Sequence, residues 1–250
     1  MFIGLRDIKR FTIAATNGDI GVSKDFLFDD STWAVRYMFV DTHKWLPMGE
    51  KVLISPISLQ TIDHEQETVH VALSTQQVKD SPSIDKHKPV SRAYEALFFK
   101  YFGYGYYWTG QGVWGEYAYP TQLARCELPS MEDLVGMEDS SIDDNHLRSI
   151  DELQGYEVNA KHTIFGHVYD LILDTENWLV PLVVIDTHNL FPGGKKRIIA
   201  SKHIHSIDWP QHMVTTELSA DEIKQCPKYE PELLNQKRYL EKVRHQLALN

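Results

Sequence analysis

Apolar and polar positions alternate in short stretches throughout the chain. Phe26-Leu-Phe28, Val35 to Val40, Val52 to Ile54 and Thr68 to Leu73 are brief runs rich in β-branched and aromatic residues. They are separated by the turn formers Asn17-Gly18, Asp29-Asp30-Ser31 and Pro47-Met48-Gly49. Runs of this length between such turns predict strands. The later half reads the same way through Leu171-Ile-Leu173, Leu182 to Ile185, Arg197 to Ala200 and Met213 to Leu218. After each series comes a capping box, Ser74-Thr-Gln-Gln77 and Ser219-Ala-Asp-Glu222, predicting a short helix that stops near Pro82 or Pro227. A second helix is expected after each, from Ser91 to about Phe102 and from Pro231 to about Leu249, with Tyr94 and Tyr239 in equivalent places. The C-terminal helix sets Leu233, Leu240, Val243 and Leu247 against Lys237, Arg238, Lys242 and Arg244. That amphipathic stripe is expected to pack on the protein's own barrel or a second subunit; an anionic membrane surface or a partner is the alternative.

The parallel between the halves is a true repeat with an offset of 145. Gly21-Val-Ser-Lys-Asp-Phe-Leu-Phe-Asp29 recurs as Gly166-His-Val-Tyr-Asp-Leu-Ile-Leu-Asp174, with a Trp four residues later in each, Trp33 and Trp178. Val40-Asp-Thr-His43 recurs as Ile185-Asp-Thr-His188, and 20 of the 62 positions from Gly21 to Pro82 are identical. Gly21, Asp25 and Trp33, with Gly166, Asp170 and Trp178, are the structural signature of the repeat. Two homologous modules are therefore expected, residues 1–85 and 149–230, joined by a helix, an aromatic segment and an acidic connector over 86–148 and followed by a helix over 231–250. Five or six short strands in so small a unit suggest a sheet folded into a barrel. The fold class expected is mainly β: two tandem small antiparallel β-barrels with flanking short helices.

Composition narrows the function classes. The 250 residues carry 35 acidic against 25 basic side chains, a formal charge of −10 that disfavours a phosphate backbone as the main partner. Cys126 and Cys226 form no CxxC pattern and read as free thiols, pointing to a reducing cytoplasm. No run approaches ~18 apolar residues and the start has no signal-peptide pattern, so neither a transmembrane segment nor export is expected. From Phe98 to Tyr119 half of the 22 residues are aromatic, interleaved with Gly103, Gly105, Gly110, Gly112 and Gly115. Such a stretch needs burial, on a barrel, between barrels or at a subunit interface. Met131 to Asp144 is acidic and reads as a solvated connector.

The pattern from Gly21 to Tyr37, Gly-x-x-x-Asp-Phe-Leu-Phe-Asp-Asp-x-Thr-Trp-x-Val-Arg-Tyr, resembles the PRC-barrel domain, as does Val40-Asp-Thr-x-x-Trp-Leu-Pro47 leading into Lys51-Val-Leu-Ile-Ser-Pro56. That domain is shared by the cytoplasmic part of the photosynthetic reaction centre H subunit and the C-terminal domain of the ribosome-maturation factor RimM. Pro89-Val-Ser-Arg92, Tyr101-Phe-Gly-Tyr-Gly-Tyr-Tyr-Trp108 and His146-Leu-Arg-Ser149 extend the likeness to bacterial proteins with two tandem PRC-barrels. The resemblance implies protein docking and assembly, without naming a partner. The transmembrane helix of the H subunit and the N-terminal domain of RimM have no counterpart here, so neither specific role is carried over.

The candidate sites are few. Asp41-Thr-His43 and Asp186-Thr-His188 place Asp and His two apart, on one side of a strand, where Asp41, His43, Asp186 and His188 could converge on a metal ion. The competing reading is structural: Asp and Thr at strand ends bond the backbone of the next loop. His203 and His205 are expected to share a strand face with no carboxylate near them. Trp33 and Trp178 read as residues closing a hairpin over the core. The chain carries no Gly-x-Ser-x-Gly, P-loop or His-Glu-x-x-His pattern. The function expected is non-catalytic protein binding or assembly with no cofactor and no nucleic acid, an unidentified protein or a second copy of the chain as partner, and Tyr104, Tyr106, Tyr107, Trp108 and Trp114 as the interaction surface. The alternatives are a metal-binding sensor or metal-dependent hydrolase using the Asp-Thr-His repeats, and a membrane- or photosystem-associated assembly factor.

Overall fold

The computed structural model describes residues 1–42, 51–84, 90–125, 147–187 and 195–247. His43, His188, Cys126 and the acidic connector lie outside them. The described elements, in order, are β1 (Phe2–Gly4), α1 (Leu5–Ile8), β2 (Thr12–Ala15), β3 (Gly18–Asp29), β4 (Ala34–Asp41), β5 (Lys51–Ile54), β6 (Leu59–Asp63), β7 (Thr68–Val71), α2 (Thr75–Lys79) and α3 (Arg92–Phe102). There follow β8 (Leu147–Ser149), α4 (Ile150–Leu153), β9 (Glu157–Ala160), β10 (Thr163–Asp174), β11 (Leu179–Asp186), β12 (Lys196–Ala200), β13 (Ile204–Asp208), β14 (Met213–Thr216), α5 (Ala220–Gln225) and α6 (Lys237–Leu247). The protein is mainly β, with short helices beside the strands. No helix among the described residues is long and apolar enough to cross a membrane.

The chain divides into two compact units, Ile8–Arg148 and a second made of Met1–Asp7 with Ser149–Asn250. In the first, the strands run in the order β6-β7-β2-β3-β4-β5, and β8 also pairs with β3. In the second the order is β13-β14-β9-β10-β11-β12, and β1 pairs with β10. Each ladder is antiparallel except at one place: β2 lies parallel to β7 and β9 parallel to β14. That corrects the expectation of purely antiparallel barrels, because hydrophobic alternation is the same for either strand direction. Among the described residues the ladder does not close either. A 3-10 turn, Pro56–Ser58 or Ser201–His203, stands at the corner between the fifth and sixth strands of the repeat.

The leading strands are placed unexpectedly. β1 belongs to the second unit, with Phe2, Ile3 and Gly4 opposite Asp174, Leu173 and Ile172. Its counterpart at the 145 offset, β8, keeps Leu147 and Arg148 in the first unit, where Arg148 Nε lies 3.6 Å from Asp30 Oδ2. Each unit thus takes its leading strand from the other copy of the repeat. β1 is clamped by Asn235, which accepts from the Phe2 amide and donates to the Phe2 carbonyl, both at 2.9 Å.

Both capping boxes form as the sequence predicts, Ser74 with Gln77 and Ser219 with Glu222. The C-terminal helix begins at Lys237 and not at the expected Pro231, since Pro231–Leu233 forms a separate 3-10 turn that takes Leu233 out of the stripe; Val243 and Leu247 pack inward, joining Ile172, Leu182, Val184, Ile198 and Leu234 in one buried cluster. Each such side chain withdrawn from water contributes about 1.5–3 kcal/mol before ordering costs, which holds α6 on its own sheet. Tyr94 and Tyr239 keep equivalent tasks, the former donating to the Pro82 carbonyl at 2.9 Å and the latter to the Lys228 carbonyl.

The repeat signature is local backbone engineering. A Cβ on Gly21 would lie 2.1 Å from the Asp41 carbonyl oxygen, and one on Gly166 would lie 2.5 Å from that of Asp186. Asp25 and Asp170 each sit at a register shift, and each carboxylate accepts the amide of the next residue, Phe26 at 2.7 Å and Leu171 at 2.8 Å. Trp33 and Trp178 occupy left-handed turns, φ 60° and 58°, each amide bonded to the carbonyl of Asp29 or Asp174.

Candidate functional site

The densest polar constellation lies in the first unit, where β4, α3 and the aromatic segment meet. β4 is apolar on both sides of Arg36, so its guanidinium is carried inward and is 3 % exposed. Nη2 lies 3.2 Å from Asp29 Oδ2, and Nη1 donates to the Val113 carbonyl at 2.6 Å. The guanidinium carbon Cζ is 3.7 Å from the centre of the Tyr107 ring and 4.5 Å from that of Trp114. A delocalised, weakly hydrated cation suits such a slot better than an ammonium. Burial pushes the Asp29 carboxyl up, but the Ser31 hydroxyl and Arg36 outweigh it and hold it below the usual carboxylate range.

One helical turn into α3, Glu95 is fully buried. Its Oε1 accepts the hydroxyls of Tyr37 and Tyr107, both at 2.8 Å, and its Oε2 lies 2.8 Å from Arg92 Nη1. Burial raises the Glu95 carboxyl despite the opposing Arg92 charge, and burial beside Glu95 raises the Tyr37 hydroxyl as well. Arg92 also donates to the Tyr107 hydroxyl at 2.9 Å and stands 4.5 Å over the Trp108 ring. Two cations and two carboxylates are thus occupied in bolting the aromatic segment to its sheet. For the buried Arg36 and Asp29, removing one partner typically costs about 3–5 kcal/mol, since the other charge is left stranded; Arg92 is 42 % exposed and its pair is screened by water.

The expected interaction surface changes accordingly. Tyr104, Tyr106, Tyr107 and Trp114 are buried, and only Trp108 of the five is half-buried. They stack on α3, with Phe99 5.2 to 6.2 Å from the rings of Tyr104, Tyr106, Tyr107 and Trp108. Burial on its own module is one of the fates the aromatic surplus predicts, and it removes these rings from the outer surface. What stays outside is Leu97, 61 % exposed, with Tyr101 one turn later at 41 %, and Tyr117 and Tyr119 at 40 % each. Tyr101 is held by its hydroxyl on the Gln77 carbonyl at 2.9 Å.

Of the Asp-Thr-His repeats, Asp41 and Asp186 end β4 and β11, and the histidines lie outside the described residues. Asp41 Oδ2 is 3.7 Å from Lys24 Nζ. The Thr187 hydroxyl donates to the Lys195 carbonyl at 2.7 Å and accepts its amide at 3.0 Å, a loop-tying role of the kind Thr plays at strand ends. Among the described residues no three His, Cys, Asp or Glu side chains gather as metal ligands would. His203 falls in the Ser201–His203 turn and only His205 in β13, and Glu217 Oε1 lies 2.6 Å from His203 Nδ1. The expected shared strand face without a carboxylate is therefore corrected; the corner between β12 and β13 carries no periodicity to reveal it.

In the second unit Asp170 is buried, its Oδ1 accepting the amides of Leu171 at 2.8 Å and Arg6 at 3.2 Å. A Cβ on Gly4 would lie 2.6 Å from Asp170 Oδ2, 2.9 Å from Asp7 Oδ2 and 3.1 Å from the Tyr229 hydroxyl, so two carboxyl groups and a phenol crowd one glycine. Burial, with Asp7 adding to it against the two amides, pushes the Asp170 carboxyl up to about 7. Cys226 is half-buried, and burial pushes its thiol up to about 11, the state of an unreactive thiol.

The Arg36 and Glu95 networks escape sequence reasoning because their partners lie far apart in the chain, Tyr37 and Glu95 by 58 positions. The available signal was one arginine inside the otherwise apolar Val35-Arg-Tyr-Met-Phe-Val40 run. Compared with known proteins, the chain matches no family model and no curated protein.

Proposed function

We propose that the protein is a non-catalytic binding or assembly protein, a cytoplasmic scaffold of two PRC-barrel-like modules. The observation that carries this reading is the use made of charge in the first unit: Arg36, Asp29, Arg92 and Glu95 are spent on rigidity, while Leu97 and Tyr101 remain exposed on the outer flank of α3. A rigid platform with apolar residues outside suits docking, since little ordering entropy remains to be lost on association. The sequence resemblance to PRC-barrel proteins supports the same reading.

The test is a native pull-down of the tagged chain from its own host, soluble and membrane fractions kept apart, comparing the natural protein with Leu97→Asp and measuring metal content alongside. A reproducible partner lost on Leu97→Asp, with an unchanged melting temperature, is the expected result. Stoichiometric metal with no partner would overturn the reading and return attention to the Asp-Thr-His repeats.

A further inference from the structure

We propose that the edge of β12 in the second unit is a binding site for a phosphoryl oxyanion, built from Lys195, Arg197 and Lys228. The inference is independent of the docking reading, which concerns the first unit.

Strand geometry makes the site. Arg197 and Lys228 face each other in an isolated antiparallel bridge, with the Ile198 amide on the Pro227 carbonyl at 2.9 Å and the Tyr229 amide on the Lys196 carbonyl at 3.0 Å. Those bonds flank the pair rather than join it, the arrangement in which opposite side chains stand closest. Lys195 is two positions before Arg197 and so shares its face. Lys196 points the other way, its Nζ 3.4 Å from the Tyr169 ring centre.

Three cations are therefore gathered on one face of a chain whose net charge is −10. Lys195 and Lys228 are exposed. Among the described residues no carboxylate forms an ion pair with any of the three. The positive charge of Lys228, with that of Arg197, holds the Lys195 ammonium below the usual lysine range. Arg197 is oriented by its Nη1 bond to the Cys226 carbonyl at 2.8 Å.

Like charges placed opposite one another destabilise a sheet. The fold does not require them, since at the 145 offset the first copy of the repeat has Glu50, Val52 and Ser83. A tetrahedral dianion between Lys195 and Lys228 converts the repulsion into charge-assisted hydrogen bonds, with the guanidinium as a further donor. Free phosphate and the headgroup of an anionic phospholipid present the same chemistry.

The experiment titrates the full chain at low salt with inorganic phosphate and, separately, with vesicles of phosphatidylglycerol in phosphatidylcholine. The variants are Lys195→Ala with Lys228→Ala, and a charge-matched control, Lys79→Ala with Lys100→Ala, both exposed lysines of the first unit. The site variant is expected to weaken binding about tenfold or more, the effect of losing two charge-assisted contacts, while the control binds like the natural protein. Its melting temperature stays level or rises, because a like-charge contact has gone. Phosphate binding without vesicle binding supports the site with a soluble ligand, and site-dependent vesicle binding displaced by phosphate supports it with a headgroup. Unchanged binding in the site variant, an equal loss in the control, or no binding of either probe by the natural protein would overturn it.

Discussion

At the residue scale, Asp170 shows how one position in a repeat signature can carry two loads. Its carboxylate caps the Leu171 amide at the bulge, as Asp25 caps Phe26, but it is also buried beside Asp7. Its folded-state value of about 7 lies above the ordinary 3.8, so the folded protein holds a proton there that the unfolded chain gives up. This contribution to stability is fully present below about pH 4 and is lost as pH rises through about 7. Across that window one such proton changes stability by at most about 1.4 kcal/mol per pH unit. Asp170→Asn keeps an acceptor for the two amides and cannot ionise. Urea unfolding from pH 4 to 8 is expected to show the variant gaining on the natural protein as pH rises, and a constant difference between them would refute this.

At the scale of elements, the two glycines of the repeat are required by close approach. Gly166 combines a left-handed φ of 91° with the Asp186 carbonyl 2.5 Å from any Cβ, while Gly21 has the approach to Asp41 alone, at 2.1 Å. Gly103, which ends α3 at φ 70°, has nothing within 4 Å and isolates the conformational term. Gly103→Ala is expected to cost about 1 kcal/mol, and Gly21→Ala and Gly166→Ala about 2–4 kcal/mol each, from backbone displacement added to strain. Urea midpoints decide it: equal costs at all three positions would mean that close approach plays no part.

For the whole molecule, the exchange of leading strands determines what can fold alone. Ile3 and Leu5 are buried in the second unit, and deleting Met1–Asp7 exposes the Ile172 to Asp174 stretch of β10. Losing two buried aliphatic side chains costs roughly 3–6 kcal/mol. Hydrogen exchange on the truncated chain is expected to show protection lost along β10 and kept along β3 and β4. Loss spread equally over both units, or none in β10, would contradict the assignment of β1 to the second unit.

Much of this fold was legible from the residues. Alternating β-branched runs, turn formers and capping boxes act within a few positions of one another, and the duplication supplied a second reading of each element. The four apolar runs named in each half, the capping-box helices and the mainly β class were therefore determined by sequence alone, while short strands such as β1, β2, β6, β8 and β9 were not. Strand direction at β2/β7 and β9/β14, the ownership of β1, and the burial of Glu95 and Arg36 were not. Each depends on partners brought together across the chain, and a side-chain pattern of period two is indifferent to which strand it meets or in which direction. The same holds for the cationic face of the second unit: Lys195 and Arg197 stand in the sequence as a basic run, but only the bridge to Lys228 places three charges where mutual repulsion favours an anion between them.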